Sequence, residues 1–415
     1  MSPAPEFTAA SGLDSSTERR HSAGDAISPW LLMVLALLTA VAPVATDLYL
    51  PAFPEMTAEL QASATAVQLT LTAFLLGLTF GQLMFGPLSD RFGRRGPLII
   101  GAALCVAASV VAATAPSIGI LIAARFAQGF TGAAGMVIGR AIIADLSSGK
   151  AAGRAFSLMM IVGGVAPVIA PFAGGLLVGP AGWRGILWVV SGIATVMLIA
   201  TLAVVRESHP QHRRAALKAD AAQGNSPWAE LRSRAYLANT LTFGFGFAVM
   251  MAYISASPFV YQVMVGLTPT QYGLAFGVNA LGMIAVSALS ARMSATISST
   301  RQLAVGLLVT LIATLTLLTF VLTGAPTWWL MIPIFVAVAC QGLILGNATA
   351  LALAAVPRAS GSGSAGLGAL QFGLGAAVSP LVGLGGEHTA LPLAVVMVTL
   401  AVLASTAFLA GRRLR

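Results

Sequence analysis

Apolar runs long enough to cross a bilayer recur twelve times along this chain, and no other feature restricts its fold as strongly. A bilayer core takes about 20 apolar residues in helical form, and lipid cannot satisfy the polar groups of irregular backbone. The runs lie near 29–50, 66–87, 97–115, 118–144, 154–178 and 184–205. After a polar stretch from Arg206 to Arg234 come six more, near 236–262, 270–291, 302–323, 327–354, 362–386 and 390–411. The division between the third and fourth rests on Pro116. Charged residues make up 8% of the 415 and hydrophobic ones 57%, whereas soluble domains carry about 25% charged residues. The chain therefore cannot cover a water-facing surface, which excludes a soluble enzyme. The expectation is an all-α membrane protein: twelve transmembrane helices in two pseudo-symmetric six-helix bundles, 29–205 and 235–411, joined by a cytoplasmic linker over 206–234. Residues 1–28 mix Pro, Ser, Glu and Arg without periodicity and read as a disordered cytoplasmic tail, too polar for a cleaved signal peptide.

Charge placement tests this count. With 22 basic and 13 acidic residues the formal net charge is +9. Lys and Arg gather in cytoplasmic loops. If the N-terminus is inside, 19 of the 22 basic residues fall in inner segments; Arg184 alone is outside, while Arg125 and Arg140 lie within helix 4. The basic balance thus reports topology and needs no nucleic-acid partner. Cys105 and Cys340 sit in apolar runs far apart and suggest neither a disulfide framework nor a metal site.

The six-loop-six plan invites a search for repeats. Leu88-Ser89-Asp90-Arg91 parallels Leu289-Ser290-Ala291-Arg292, Gln128-Gly129 parallels Gln341-Gly342, and Pro171-x-x-Gly174 parallels Pro380-x-x-Gly383. Their shared order and nearly constant offset favour duplication. Polar content then sorts the helices, because polar groups at membrane depth usually face protein or a watery cavity. Helices 3, 6, 9 and 12 lack charged or amide side chains in their central stretches and read as lipid-facing scaffold. The others carry Asp47, Gln68, Gln82, Arg125, Gln128, Asn279, Gln341, Asn347 and Gln371 around a central path. An amide there can equally glue two helices together.

Gly86-Pro-Leu-Ser-Asp90-Arg91-Phe-Gly93-Arg94-Arg95, between helices 2 and 3, resembles the signature loop of the major facilitator superfamily (MFS). Within it the chain is similar to drug:proton antiporters of the bicyclomycin-resistance (Bcr/CflA) type, through Asp47-Leu-Tyr-Leu-Pro51-Ala-Phe-Pro54, Arg125-Phe-Ala-Gln128-Gly129, Tyr253-Ile-Ser-Ala-Ser-Pro258-Phe-Val-Tyr261 and Ser360-Gly-Ser-Gly-Ser364. Ala170-Pro171-Phe-Ala-Gly174-Gly175 keeps the proline and final glycines of the family's helix-5 antiporter motif and lacks its earlier glycines. The resemblance covers all twelve helices. It implies the MFS fold, a multi-pass place in the inner (cytoplasmic) membrane with both termini cytoplasmic, and proton-coupled efflux of amphipathic small molecules, antibiotics among them, by alternating access.

A proton-coupled carrier needs a group that can be charged or neutral inside the membrane. Of the acidic residues only Asp47 lies within an apolar run, and a sheltered carboxyl can take either form near physiological pH. The competing reading leaves Asp47 solvated at the outer surface, close to Pro51. Arg125 cannot deprotonate in practice, so its part is electrostatic, with Gln128 on the same face at i+3. Alternatively, Arg125 snorkels to the surface. The resemblance implies a share in proton coupling for Arg125. It also implies that Asp90 and Arg91 pair across the inner face as a gate, with Arg94 and Asp145 nearby. Gly86 and Gly93 suit close approach and tight turning, and Pro171, Gly174 and Gly175 suit bending and close packing in helix 5. Tyr49, Gln128, Tyr253, Phe259, Tyr261, Asn279, Gln341, Asn347 and Gln371 are candidates to bind substrate through ring faces and hydrogen bonds.

No cofactor or metal is expected, and no Walker-type nucleotide loop is present. The expected partners are a small-molecule substrate, protons and the lipid bilayer, with no nucleic acid, the chain acting as a monomer. The rival transport reading is a facilitator or symporter of a small metabolite such as a sugar or nucleoside. An enzyme is disfavoured because His21, His209, His212 and His388 all fall in tails or loops. A receptor would usually carry a larger soluble domain than the 29-residue linker.

Overall fold

Hydroxyl side chains open several of the helices. Ser63, Ser117 and Ser233 accept from the N–H of Ala66, Ile120 and Tyr236. Thr268 and Gln271 form a reciprocal capping box. Each such cap contributes about 1 kcal/mol and marks where a chain turns back into the bilayer. The computed structural model describes residues 28–147, 149–208, 231–356 and 360–412. The expected disordered tail and most of the linker therefore lie outside the described residues.

We number the crossings in chain order. In the first half they are α1 (Pro29–Asp47), α2 (Ala64–Phe92), α3 (Arg95–Ala113) and α4 (Ile118–Leu146). One helical run of 56 residues, Gly149–Val204, follows. Straight, it would be about 84 Å long, far more than a bilayer. It breaks at Gly182, whose φ is +64°, and Ser208 beyond its end bonds Asp145 before its start at 3.2 Å. The run thus returns to the face it left, and counts as α5 (149–181) and α6 (183–204). In the second half come α7 (Arg234–Pro258, continued by a π-turn Phe259–Met264), α8 (Pro269–Met293) and α9 (Ser299–Leu322). Then follow α10 in two pieces (Met331–Ala339 and Gln341–Ala354), α11 (Ser360–Val378) and α12 (Leu391–Arg412). Among the described residues eleven helical stretches are long and apolar enough to cross a membrane. Dividing the longest at Gly182 gives the twelve that the apolar runs predict.

Two boundaries differ from the sequence reading for reasons of backbone chemistry. Helix 2 continues to Phe92, so Asp90 and Arg91 lie on its last turn and only Gly93 and Arg94 connect it to α3. Helix 11 ends at Val378, and Leu381–Gly383 form a separate 3-10 turn. Pro380 therefore terminates that helix, since the residue before a proline is driven from helical geometry, whereas Pro167 and Pro171 remain inside α5.

Apolar side chains point outward along α3 (Ile100, Leu104), α6 (Val196, Ile199), α9 (Leu308, Ile312) and α12 (Val395, Leu409), as lipid contact requires. α2 and α8 also turn a stripe outward, at Phe80 and Leu83 and at Leu274, Val278 and Leu281. α7 is central: 18 of its 25 residues are buried. Glycine brings the helices close. A Cβ on Gly129 would lie 2.1 Å from the Phe74 carbonyl of α2, and one on Gly342 would lie 2.5 Å from the Met283 carbonyl of α8. The paired Gln-Gly dipeptides of α4 and α10 thus meet helices of the same ordinal place in each half.

The halves meet along α2 with α11 and along α5 with α8. Hydrogen bonds between them gather at one face, the one carrying Glu59 and Arg184: Thr65 to Gly383, Gln68 to Ser255, Gln262 to Pro51 and Thr270 to Gly175. We call this the far face. The opposite, basic face carries Arg91, Arg94 and Arg95.

Candidate functional site

α1 ends at Asp47, because the chain next turns into the 3-10 segment Leu50–Ala52 around Pro51. Asp47 is 5% exposed, which puts it away from the solvated rim. Its Oδ1 accepts from Thr46 Oγ1 at 3.0 Å. The segment after it is wedged into the seam. The Leu48 carbonyl would lie 1.9 Å from a Cβ on Gly174, so only glycine fits there. The Pro51 carbonyl accepts from Gln262 at 3.0 Å, and the Phe53 ring lies 6.1 Å from that of Phe259. From the other half, Tyr253, Tyr261 and Tyr272 are buried in one cluster with Leu48, Tyr49 and Leu50, the residues that follow Asp47.

Arg125 of α4 is fully buried. Its Nη2 donates to the Ala45 carbonyl at 2.9 Å, one of the carbonyls that a helix leaves free in its last turn. A cation at that end also opposes the helix dipole favourably. Nη1 donates to Gln128 Oε1 at 2.5 Å, and Gln128 Nε2 donates to Ser109 Oγ at 2.7 Å. The guanidinium lies between two rings, 4.3 Å from the centre of Tyr49 and 4.4 Å from that of Phe74. Tyr49 is itself held by a 3.0 Å bond between its hydroxyl and Thr70. Asp47 and Arg125 form no ion pair. The cation instead grips the α1 backbone two residues before the carboxyl, and its Nε has no partner among the described residues.

In the second half, Asn279 Nδ2 donates to the hydroxyls of Tyr253 and Tyr261 at 2.7 and 3.1 Å. The Tyr272 hydroxyl shares a 3.0 Å bond with Ser257. The Tyr253 ring stacks on Phe276 at 5.4 Å and lies 6.2 Å from Tyr261. These side chains are buried together with Phe259 at the far-face end of α7 and α8. The other candidates lie elsewhere. Gln341 is fully buried in α10; it donates to Ala337 at 3.2 Å, and its Oε1 has no partner among the described residues. Asn347 joins Ser290 at 2.9 Å, which donates to Gln302 at 2.6 Å, tying α8, α9 and α10 together nearer the basic face. Gln371 is half-buried on α11.

At the basic face Arg94 is the hub. Its Nε donates to Asp145 at 2.9 Å, and Nη1 donates to Ser89 at 2.8 Å and to Asp90. Burial works against its charge, but the bonds and charges of Asp145 and Asp90 outweigh that and hold its basicity above the usual arginine value. All these groups belong to the first half, and Asp90 pairs with Arg94, four residues on in the same half. Arg91 is exposed, with its guanidinium over the Phe92 ring. Glu207 accepts from the Arg94 and Arg95 N–H groups at 2.8 and 3.1 Å, capping α3. Gly93 turns with φ +95°, where a Cβ would meet Glu207 at 2.6 Å. Gly86 does not serve close approach: it sits within α2, and a Cβ there would find its nearest neighbour at 3.8 Å.

Sequence reasoning overlooked Phe74, Ser109, Ser257, Tyr272, Phe276 and Glu207 as members of these clusters. The spacing of Tyr272, Phe276 and Asn279 on one helical face offered a signal. Ser109 and Glu207 offered none, since their partners are distant in sequence.

The family model of the Major Facilitator Superfamily matches residues 35–380. The chain is 38% identical to an uncharacterised MFS-type transporter, YdgK, of Bacillus subtilis, across 91% of this chain and 94% of that one. It is 29% identical to a bicyclomycin resistance protein homologue of Haemophilus influenzae, across 92% and 97%. It is 26% identical to the multidrug resistance protein MdtL of Escherichia coli, across 68% of each. Among solved structures, a bacterial homologue of the human lysosomal transporter Spinster, inward-facing and unoccupied, matches with a TM-score of 0.74 at 18% identity, across 93% and 98%. A D-xylose–proton symporter matches with a TM-score of 0.71 at 16% identity, across 90% and 96%.

Proposed function

The chain belongs to the major facilitator superfamily, and from that premise we propose that it exports amphipathic small molecules, antibiotics among them, in exchange for protons. Relatives named for bicyclomycin and multidrug resistance support the substrate class. The observation that carries the coupling is the placement of Asp47: a buried carboxyl at the C-terminal end of α1, just before the segment whose Pro51 and Phe53 touch the other half.

The basic face is cytoplasmic, because cytoplasmic loops retain Lys and Arg, and both termini lie on that side in the inner membrane. The far face, closed by the bonds around Gln68 and Pro51, is then external. Each half moves as a bundle about its seams. With Asp47 protonated, the α1 end carries no net charge and sits well in the closed far face. Loss of the proton leaves an anion that burial disfavours unless water or a cation reaches it. The proton state thus biases which face opens. Arg125 fixes the α1 terminus through Ala45 without neutralising Asp47, so the carboxyl stays free to exchange its proton. Tyr253, Tyr261 and Asn279 are buried and bonded to one another in this state; once the far face opens, their rings and hydrogen-bonding groups suit ligands that are partly apolar and partly polar.

The test uses purified protein in liposomes with a pH-sensitive dye inside. Substrate added to the wild type moves protons, and a pH gradient drives substrate uphill. Asp47→Asn abolishes both while retaining counterflow of labelled substrate and the wild-type melting temperature. Full proton-driven transport by that variant removes Asp47 from the mechanism, and transport indifferent to the gradient makes the protein a facilitator.

A further inference from the structure

The two seams between the halves are built differently. Along α5 and α8, backbone meets backbone: Cβ atoms on Gly175 and Gly273 would lie 2.3 and 2.6 Å from the carbonyls of Pro269 and Pro171. Small residues and van der Waals contact hold most of that seam, as in other close-packed membrane helices, with one side-chain hydrogen bond, from Thr270 to the Gly175 carbonyl at 3.3 Å. Along α2 and α11 the far-face end is polar. Thr65 Oγ1 donates to the Gly383 carbonyl at 2.8 Å. Gln68 Nε2 donates to the Ser255 carbonyl at 3.1 Å, and Ser379 Oγ donates back to the Gln68 carbonyl at 3.3 Å. The hydroxyls of Ser255 and Ser379 share a 2.7 Å bond. Gln68 is 1% exposed, and both serines are fully buried.

The Gln68 amide is only half satisfied. Its Oε1 is buried without a partner among the described residues, pressed against Gly383, where a Cβ would come within 2.0 Å of it. Thr72 Oγ1, one turn along the same helix, is buried and also unpartnered. A buried acceptor without a donor costs a large part of what its neighbouring bonds contribute. Water would satisfy both groups once α2 and α11 part.

We propose that Thr65, Gln68, Ser255 and Ser379 form the latch that closes the far face, and that the half-satisfied Gln68 amide keeps this latch weak enough to open. The inference rests on the alternating-access reading above. Gln68→Leu removes the unpartnered Oε1 together with the Nε2 bond to Ser255. An unsatisfied buried acceptor costs more than one neutral hydrogen bond contributes, so the closed state gains, whereas Thr65→Val removes only a satisfied contact and the closed state loses. Gln68→Leu and Thr65→Val therefore act in opposite directions, which a seam held by packing alone does not produce.

The experiment measures distances by double electron–electron resonance in the full chain, in nanodiscs without substrate. Spin labels go on cysteines at Ala58 and Leu384, exposed on the far face in opposite halves, with the buried Cys105 and Cys340 replaced by Ala. Thr65→Val raises the long-distance (open) to short-distance (closed) ratio several-fold. Gln68→Leu lowers it, and in the double variant Thr65→Val/Gln68→Leu brings it back toward the wild type. Gln68→Met checks the sign if Gln68→Leu inserts poorly. Opening by Gln68→Leu or Gln68→Met, or no change with either substitution class, overturns the latch. Because no substrate or proton gradient is involved, a failed transport assay beside the expected distances rejects the export reading and leaves the latch standing.

Discussion

Replacing Arg125 by lysine retains the charge and removes the planar fork, which makes it a direct test of why an arginine is buried here. The guanidinium donates to Gln128 at 2.5 Å and to Ala45 at 2.9 Å, and lies 4.3 and 4.4 Å from the Tyr49 and Phe74 rings. A single ammonium on a flexible stem reaches one of the two acceptors and faces one of the two rings. Leaving the second acceptor buried without its donor costs about 1–3 kcal/mol. Losing one desolvated ring face costs ~1–2 kcal/mol more. Arg125→Lys is therefore destabilised by about 2–5 kcal/mol in total. At roughly 1 °C per kcal/mol for a protein of this size, the melting temperature falls by at least about 2 °C in fluorescence-detected unfolding. Transport suffers as well, because the α1 terminus bearing Asp47 loses its anchor: substrate-driven proton movement in liposomes drops by tenfold or more. A lysine variant with wild-type melting and wild-type proton movement would refute the reasoning, since charge alone would then suffice.

Three further outcomes follow from contacts on either side of this network. Gly129→Ala forces a methyl to within 2.1 Å of the Phe74 carbonyl, whereas Gly132→Ala meets Cys105 Sγ at an ordinary 3.6 Å. The first loses about 1–3 kcal/mol through overpacking, visible as a lower melting temperature, and the second melts like the wild type. Asn279→Ala strips the shared donor from the Tyr253 and Tyr261 hydroxyls. It raises the KM for export several-fold with a smaller effect on the maximal rate. Glu207→Gln replaces the carboxylate that caps α3 with an acceptor of one oxygen, costing roughly 0.5–2 kcal/mol. Urea or thermal unfolding in detergent reads that loss, and substrate specificity stays unchanged.

The membrane architecture was legible in the chain because the bilayer leaves so few options. Every crossing must satisfy its own backbone and present apolar side chains, so runs of suitable length, with Pro116 between two of them, marked the elements closely. Local chemistry likewise exposed Gly93 as a turn residue and Arg125 with Gln128 as neighbours on one face. Partnerships between distant segments were not legible. Nothing local shows that Arg125 would cap α1 at Ala45, 80 residues away, or that Glu207 would reach back to Arg94. Asn279 and Asn347 look alike in sequence, yet one joins the tyrosine cluster and the other ties three helices together near the basic face. Which polar side chain meets which is set when helices pack, since a hydrogen bond needs two groups within about 3 Å and only the assembled bundle brings such groups that close.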